Sequence, residues 1–323
     1  MKRRDFICAL LGALPSARAL AQPSGRVYRI GSLHSAPASA PQHLAFFEEL
    51  ERAGFVAGKN LEKDLSGYGL RQEQFSDHAA ELVKARVDAI LCAGDLAIRS
   101  LQKLTTMIPI LGVTEDMLAS RLVGSMSRPD GNTTGVSILA AELDGKRQQI
   151  LLEMIPSLKR IALLVDSNNL STRHIAELEA SARKAGVATS IHRAGRLEDI
   201  AGAINEAKSG QADVALNVLA TPLFFNNRAL IFAKVAEVNL PAIYQWPEMA
   251  EAGGLAAYGP RIVSIFRTQV SRQMIKILQG TPVAEIPVEQ PTAFEFVINL
   301  RTAKSAKLDL APNIIARADK VIE

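Results

Sequence analysis

The chain has 323 residues, 48% of them apolar and 22% charged, and its 37 Lys and Arg against 33 Asp and Glu give a formal charge of +4. That length allows two ordinary domains, each with a core of its own. The first 21 residues hold Lys2, Arg3, Arg4 and Arg18 against Asp5 alone, so removing them leaves +1, and a near-neutral remainder gives no reason to propose a nucleic-acid partner.

Residues 1–21 read as a secretory signal peptide. MKRRDF is the basic start, ICALLGAL the short apolar stretch, and Ala19-Leu20-Ala21 a small-residue cleavage site before Gln22. Arg3-Arg4-Asp5-Phe6 has a twin-arginine look, which leaves both general and twin-arginine export open. The apolar stretch falls short of the ~20 residues a spanning helix needs, and no other stretch approaches that length, so the mature protein is not expected to be integral to the membrane. Cys8 leaves with the signal, and Cys92 alone cannot form an internal bridge; it reads as a buried apolar thiol.

After a loop at Pro23–Gly25, Val27–His34 reads as a strand and Gln42–Ala53 as a helix closed by Gly54. A polar strand near Asn60–Leu65, a helix over Glu73–Ala85 and a strand over Val87–Ala93 follow. Asp95 is expected to cap a helix running to Thr105. Pro109–Val113 and TTGVSIL complete five strands. Beyond them come a helix over Glu142–Ile155, a strand over Arg160–Asn169 and a helix capped by Ser171, then VATSIHRA as strand and Leu197–Lys208 as helix.

The stretch Ala212–Arg261 organises the second half. ADVALNVLA is a strand, Thr221-Pro222 a cap and first helical residue, and about 17 helical residues run on to Asn239. PAIYQW and GGLAAYG are strands. Because ligands of open parallel sheets sit beyond the carboxyl ends of the strands, Thr221, Phe224, Tyr244, Trp246 and Tyr258 are placed around one crevice. Phe224 and Phe225 are adjacent, so at most one of them can face it. Arg261–Gln279 is a long amphipathic helix, EFVIN is extended, and Asn313–Val321 is expected to end the chain as a polar helix. Strand and helix alternate about ten times, which predicts an α/β fold with parallel sheets, and two sheets rather than one, with the break near Leu139.

The chain has no P-loop, no GxGxxG turn and no G-x-S-x-G nucleophile elbow. His34, His43, His78, His174 and His192 have no metal-ligand spacing, so neither a metal nor a cofactor is expected. His43, His78, His174 and His192 read as polar residues on solvated faces. His34 stands apart because it ends a strand.

The stretches GNTTGVSILAAELDGKRQQILLEMIPSLKRIALLVDSNN, TPLFFNNR, VNLPAIYQWPEMAEAGGLAAYG and QPTAFEFVINLRTAK, with the basic start, resemble the periplasmic substrate-binding proteins of bacterial ABC transporters. The resemblance is strongest to the TrpX-like branch of the type I periplasmic binding-protein fold and spans Val27–Glu323. It implies two Rossmann-like lobes joined by a three-strand hinge. The first would be residues 27–139 plus 254–280 and the second 140–253 plus 281–323, with crossings near Ser137–Ala141, Met249–Gly254 and Thr281–Gln290. It also implies a monomeric periplasmic protein that binds a small molecule, an amino acid among the candidates, and partners an ABC permease and its ATPase. The first strand end, Ser32-Leu33-His34-Ser35, and the later Asp166-Ser167-Asn168-Asn169 depart from the family's usual turns at positions a ligand would touch.

On that frame the ligand-binding candidates are Ser32, His34, Gly94, Asp95, Thr114, Glu115, Asp166, Asn168, Thr221, Phe224, Tyr244, Trp246 and Tyr258. An ammonium group would seek Asp166, Glu115 or Asp95. A carboxylate would seek backbone N–H groups near Thr114 or Thr221, and an aromatic ring would stack on Phe224, Tyr244, Trp246 or Tyr258. Two rivals remain: a ligand-sensing protein serving a receptor, and a periplasmic enzyme on a doubly wound fold, for which no nucleophile–base pair is visible.

Overall fold

The structure, a computed structural model, describes residues 25–168, 172–209 and 213–323; the signal peptide and the Ser171 cap expected from sequence lie outside them. The first sheet is built from β1 (Tyr28–Leu33), β2 (Leu61–Lys63), β3 (Ala89–Ala93), β4 (Ile110–Thr114) and β5 (Thr133–Ser137). Its order is β2-β1-β3-β4-β5, and every pair is parallel. Each strand returns through a helix, α1 (Pro41–Arg52), α2 (Phe75–Ala85) or α3 (Asp95–Gln102), or through the loop between β4 and β5. β4 and β5 are buried at every position; β4 is mostly apolar, ILGVT, whereas the buried hydroxyl of Thr134 in β5 is satisfied by donating to the Ile286 carbonyl. Leu33, Ile90 and Ile110 pack with Leu82 of α2 and Ile98 of α3, while Ile30 and Leu91 pack with Phe46 and Leu50 of α1.

The second sheet comprises β6 (Arg160–Asp166), β7 (Ala188–Ala194), β8 (Val214–Val218), β9 (Ala242–Tyr244), β10 (Ala256–Gly259), β11 (Glu295–Asn299) and β12 (Lys320–Ile322). Its order is β12-β11-β10-β9-β8-β6-β7, parallel except between β10 and β11. Around it lie α4 (Ala140–Met154), α5 (Thr172–Lys184), α6 (Leu197–Lys208), α7 (Pro222–Asn226), α8 (Arg228–Glu237), α9 (Pro247–Glu251), α12 (Leu300–Ser305) and α13 (Pro312–Ala316). A last helical run returns to the first sheet: α10 (Ile262–Ile265), a π-helical turn over Phe266–Val270, and α11 (Ser271–Leu278). It docks on α1, where Arg267 reaches Glu48 and Glu49 at 3.1 Å, and Gln273 donates to the Gly135 carbonyl.

The two sheets match the expected fold, and the strand pairings put the later passages between them elsewhere than the sequence suggests. β10 pairs with β9 and β11, so the chain leaves the second sheet after Gly259 and not at Met249–Gly254. Residues 281–289 stay with the first sheet: Glu289 N–H donates to Gly135 and its carbonyl accepts from Ser137, so the third crossing is 290–294. The chain end also differs. Asn313–Val321 is not one helix, because Val321 pairs with Ile298 and the polar tail forms an edge strand beside β11. The helix expected over about 17 residues from Pro222 breaks at Asn227, whose side-chain amide donates to the Leu223 carbonyl. Cys92 is fully buried in β3. Among the described residues no helix is long and apolar enough to cross a membrane.

Candidate functional site

The carboxyl ends of β1, β3, β4 and β5 face those of β6, β8 and β9 across a cleft, and the loops leaving these strands line it. A cavity partly open to solvent is bounded on the first lobe by His34, His43, Thr114 and Glu115, with Phe266 from the returning helix. The second lobe contributes Thr221, Pro222, Phe225, Asn226 and Trp246. Phe225 and Trp246 meet edge to face, with centroids 6.1 Å apart, and Phe266 lies 5.6 Å from His43. The walls are therefore largely aromatic.

An acidic recess adjoins the cavity. Gly94, Asp95 and Glu115 line it from the first lobe, Asp166 and Asn168 from the second, and no Lys or Arg is among the described residues that line either space. Arg99 is the nearby cation, 4.0 Å from Asp95. Thr114 Oγ1 bonds both Asp95 Oδ1 and Glu115 Oε2, the latter at 2.7 Å. One hydroxyl proton cannot serve two carboxylates, so one acid must carry a proton of its own. Burial, with the charges of Asp95 and then Asp166 adding to it, pushes Glu115 up to about 8, so Glu115 is the protonated partner at neutral pH. Asp166 is buried too, which raises its pKa against the opposing hydrogen bonds from Asn168 and Thr221. Its Oδ1 accepts from the Asn168 N–H at 2.9 Å.

At the inner end His34 and His43 pack ring to ring at 4.6 Å, and His34 stacks on Tyr68 at 5.2 Å with the planes 7° apart. Burial drives both imidazoles toward the neutral form, His43 to about 4, and for His34 the neighbouring His43 adds to the effect.

Of the residues expected from sequence, His34, Thr114, Glu115, Thr221 and Trp246 line the cavity, and Gly94, Asp95, Asp166 and Asn168 line the recess with Glu115. Thr221 caps α7 as expected, its Oγ1 accepting from Phe224 N–H at 3.3 Å. Asp95 does not cap α3: Gly94 holds the N-cap position, at φ 88°, and Asp95 is the first helical residue. Four expected residues point elsewhere. Ser32 is buried within β1, two positions before the strand end that His34 occupies. Phe224 is fully buried in the core of the second lobe, and its neighbour Phe225 faces the cavity. Tyr244 is fully buried edge-on to Phe232 of α8, at 5.1 Å. Tyr258 stacks on Phe294 at 6.3 Å, while its carbonyl accepts from Arg147. The residues that reach the cleft are the last of their strands, as Thr114 of β4 and Asp166 of β6 are, or follow a strand, as His34, Glu115, Thr221 and Trp246 do.

Sequence reasoning missed Gln42, His43, Phe225 and Phe266. His43 carries a legible signal: it stands three residues before Phe46, on the buried stripe of α1, and that helix starts at the carboxyl edge of the sheet. Among the described residues no group of His, Cys, Asp and Glu could hold a metal ion.

Comparison with known proteins agrees with this architecture. Residues 34–322 match the family described as ABC transporter substrate binding protein. A tyrosine-binding protein of Clostridioides difficile (strain R20291) is 23% identical over 272 residues, covering 80% of this chain and 74% of that protein. The structure of an ABC domain from Streptococcus pneumonia in complex with L-Trp has a TM-score of 0.78 at 20% identity, covering 91% of this chain and all of that one. A conserved domain protein from Vibrio cholerae reaches 0.81, also at 20% identity, covering 92% and 99%. A two-lobed α/β molecule with its cavity at facing strand ends, matched over most of its length, the chain belongs to the ABC transporter substrate-binding protein family and has the fold of the type I periplasmic binding proteins.

Proposed function

We propose that this protein is the periplasmic solute-binding component of an ABC importer, a monomer that captures an aromatic amino acid and presents it to a permease coupled to an ATPase. The two lobes of this clamp are residues 25–137 with 262–289, and residues 140–259 with 295–323. The family binds solutes and does not transform them, so capture without chemistry is the whole task.

The observation that carries the reading is a cavity lined by Phe225, Trp246 and Phe266 and joined to a recess that holds the carboxylates of Asp95 and Asp166 and the acid Glu115, with no Lys or Arg among its described lining residues. An α-ammonium group supplies the missing charge, donating to Asp95 and Asp166, with Glu115 available as a third partner. The ligand's ring lies between Phe225 and Trp246 of one lobe and Phe266 of the other, where each ring pair contributes ~0.5–1.5 kcal/mol beyond burial. Its carboxylate faces the neutral donors Ser35 and Asn226. The names of the relatives support the same class, one being called tyrosine-binding and another holding L-Trp.

Calorimetry of the mature protein with L-Trp, L-Tyr and indole-3-propionate tests the reading. At least one of the two amino acids is expected to bind. Indole-3-propionate, which lacks the amine, is expected to bind at least about tenfold more weakly than L-Trp, since a hydrogen bond to a charged group contributes about 1.5–3 kcal/mol. Equal affinity for indole-3-propionate and L-Trp, or no binding of either amino acid, overturns it.

A further inference from the structure

The inner end of the cavity holds a second recognition element, chemically unlike the acidic recess. His34 ends β1, is 1% exposed and lines the cavity, and its Nε2 has no hydrogen-bond partner in the protein. An unpartnered buried polar atom destabilises the fold, a cost a binding protein recovers when a ligand completes the bond.

The protonation pattern around this atom decides what the ligand must bring. His43 Nδ1 lies 2.8 Å from the Pro37 carbonyl, and a carbonyl only accepts, so Nδ1 carries the hydrogen and His43 Nε2 is bare. The His34 ring is held neutral by burial, and a neutral imidazole with Nε2 unpartnered can present the Nε2 lone pair to a donor. Both rings are neutral at physiological pH for the reasons given above. Two neutral imidazoles thus leave acceptor nitrogens at a cavity end that Gln42 and Phe266 also line, with Tyr68 stacked on His34.

Resting on the reading of the cleft as an aromatic amino-acid site, we infer that His34 Nε2 accepts a hydrogen bond from an O–H or N–H on the ligand's ring, making His34 the residue that separates tyrosine- or tryptophan-like ligands from phenylalanine-like ones. A site that hydrogen-bonds a ligand hydroxyl or N–H discriminates strongly against the analogue lacking it, because the buried partner is then stranded. A merely structural His34 would support all aromatic ligands equally.

Matched ligand pairs test this. Affinities are measured for L-Tyr against L-Phe, and for L-Trp against L-3-benzothienylalanine, which replaces the indole N–H by sulfur. In the wild type at least one donor-bearing ligand is expected to bind about tenfold or more tightly than its partner. In His34→Leu that ratio is expected to fall within about threefold, with L-Phe affinity nearly kept. His34→Gln, which offers an amide oxygen as acceptor, is expected to keep part of the preference and serves as the decisive variant if His34→Leu does not fold. Wild-type ratios within threefold for both pairs overturn the inference while leaving the amino-acid reading intact. So does a ratio that survives His34→Leu, or one that His34→Gln loses as completely as a variant with no acceptor. Failure of all four ligands to bind overturns both.

Discussion

Glu115 is held as an acid by its neighbours: it is buried, shares Thr114 with Asp95, and feels Asp166 across the cleft. In the unfolded chain its pKa returns to the ordinary value of about 4.3. Between that value and about 8 the native state therefore binds the extra proton, and stability falls as pH rises through the interval. His34 and His43 work in the opposite sense, since both are lowered in the folded protein: below about 6.5 the unfolded chain binds more protons and stability rises with pH. The window that isolates Glu115 is pH 7 to 8. There the ligand-free protein is expected to lose Tm by about 2–4 °C, from a slope approaching ~1.4 kcal/mol per pH unit. Glu115→Gln, which keeps the hydrogen bond to Thr114 without the titration, is expected to flatten that decline. Thermal unfolding of both proteins at pH 7.0 and 8.0 checks it, and parallel slopes would assign the pH dependence to another group.

Helix α7 shows what one element decides for the cleft. Thr221 caps it, Pro222 starts it, and five residues suffice to send Phe224 into the core and Phe225 into the cavity. Phe224→Ala is expected to cost about 3–5 kcal/mol of stability, as for a fully buried phenylalanine. Phe225→Ala is expected to weaken an aromatic ligand by about 2–12-fold, the equivalent of ~0.5–1.5 kcal/mol, with little change in Tm. Chemical denaturation and calorimetry on the pair check this, and a reversed pattern would exchange the two roles. The element pattern itself was legible in sequence because buried parallel strands are short apolar runs and their helices carry caps and apolar stripes. Thr221-Pro222 and the strand ends at His34, Thr114 and Asp166 were read that way. Helix phase was not legible at Phe224-Phe225, because both residues suit either environment. Nor was the second crossing, because β10 is held in its sheet by β11, whose residues lie nearly forty positions on and pair with it antiparallel. Phe266 is not legible for the same reason: it lies on the apolar stripe of the Arg261–Gln279 helix, and its place in the cleft depends on that helix leaving one sheet to dock on the other.

The whole molecule is a clamp, and its lips already touch. Asn168 Nδ2 of the second lobe donates to Gln72 Oε1 of the first at 3.1 Å, and Pro222 approaches Gly94 so closely that a Cβ there would lie 3.1 Å from the proline ring. Gly94 answers two demands at once, a positive φ of 88° and room for the opposite lobe. A ligand held between lobes shifts the open–closed balance only through contacts made in the closed form, and the Gln72–Asn168 bond belongs to that form alone. Removing it with Gln72→Ala therefore takes about 0.5–1.5 kcal/mol from the closed state while leaving the aromatic walls and the three carboxylates in place. Release of ligand is expected to quicken by about 2–12-fold, with the association rate and the ligand-free Tm unchanged. The chain's single tryptophan, Trp246, lines the cavity, so its own fluorescence follows the release of L-Tyr in a stopped-flow displacement. Release at the wild-type rate would mean that the lips close without this bond, and that ligand contacts inside the cleft hold the lobes together by themselves.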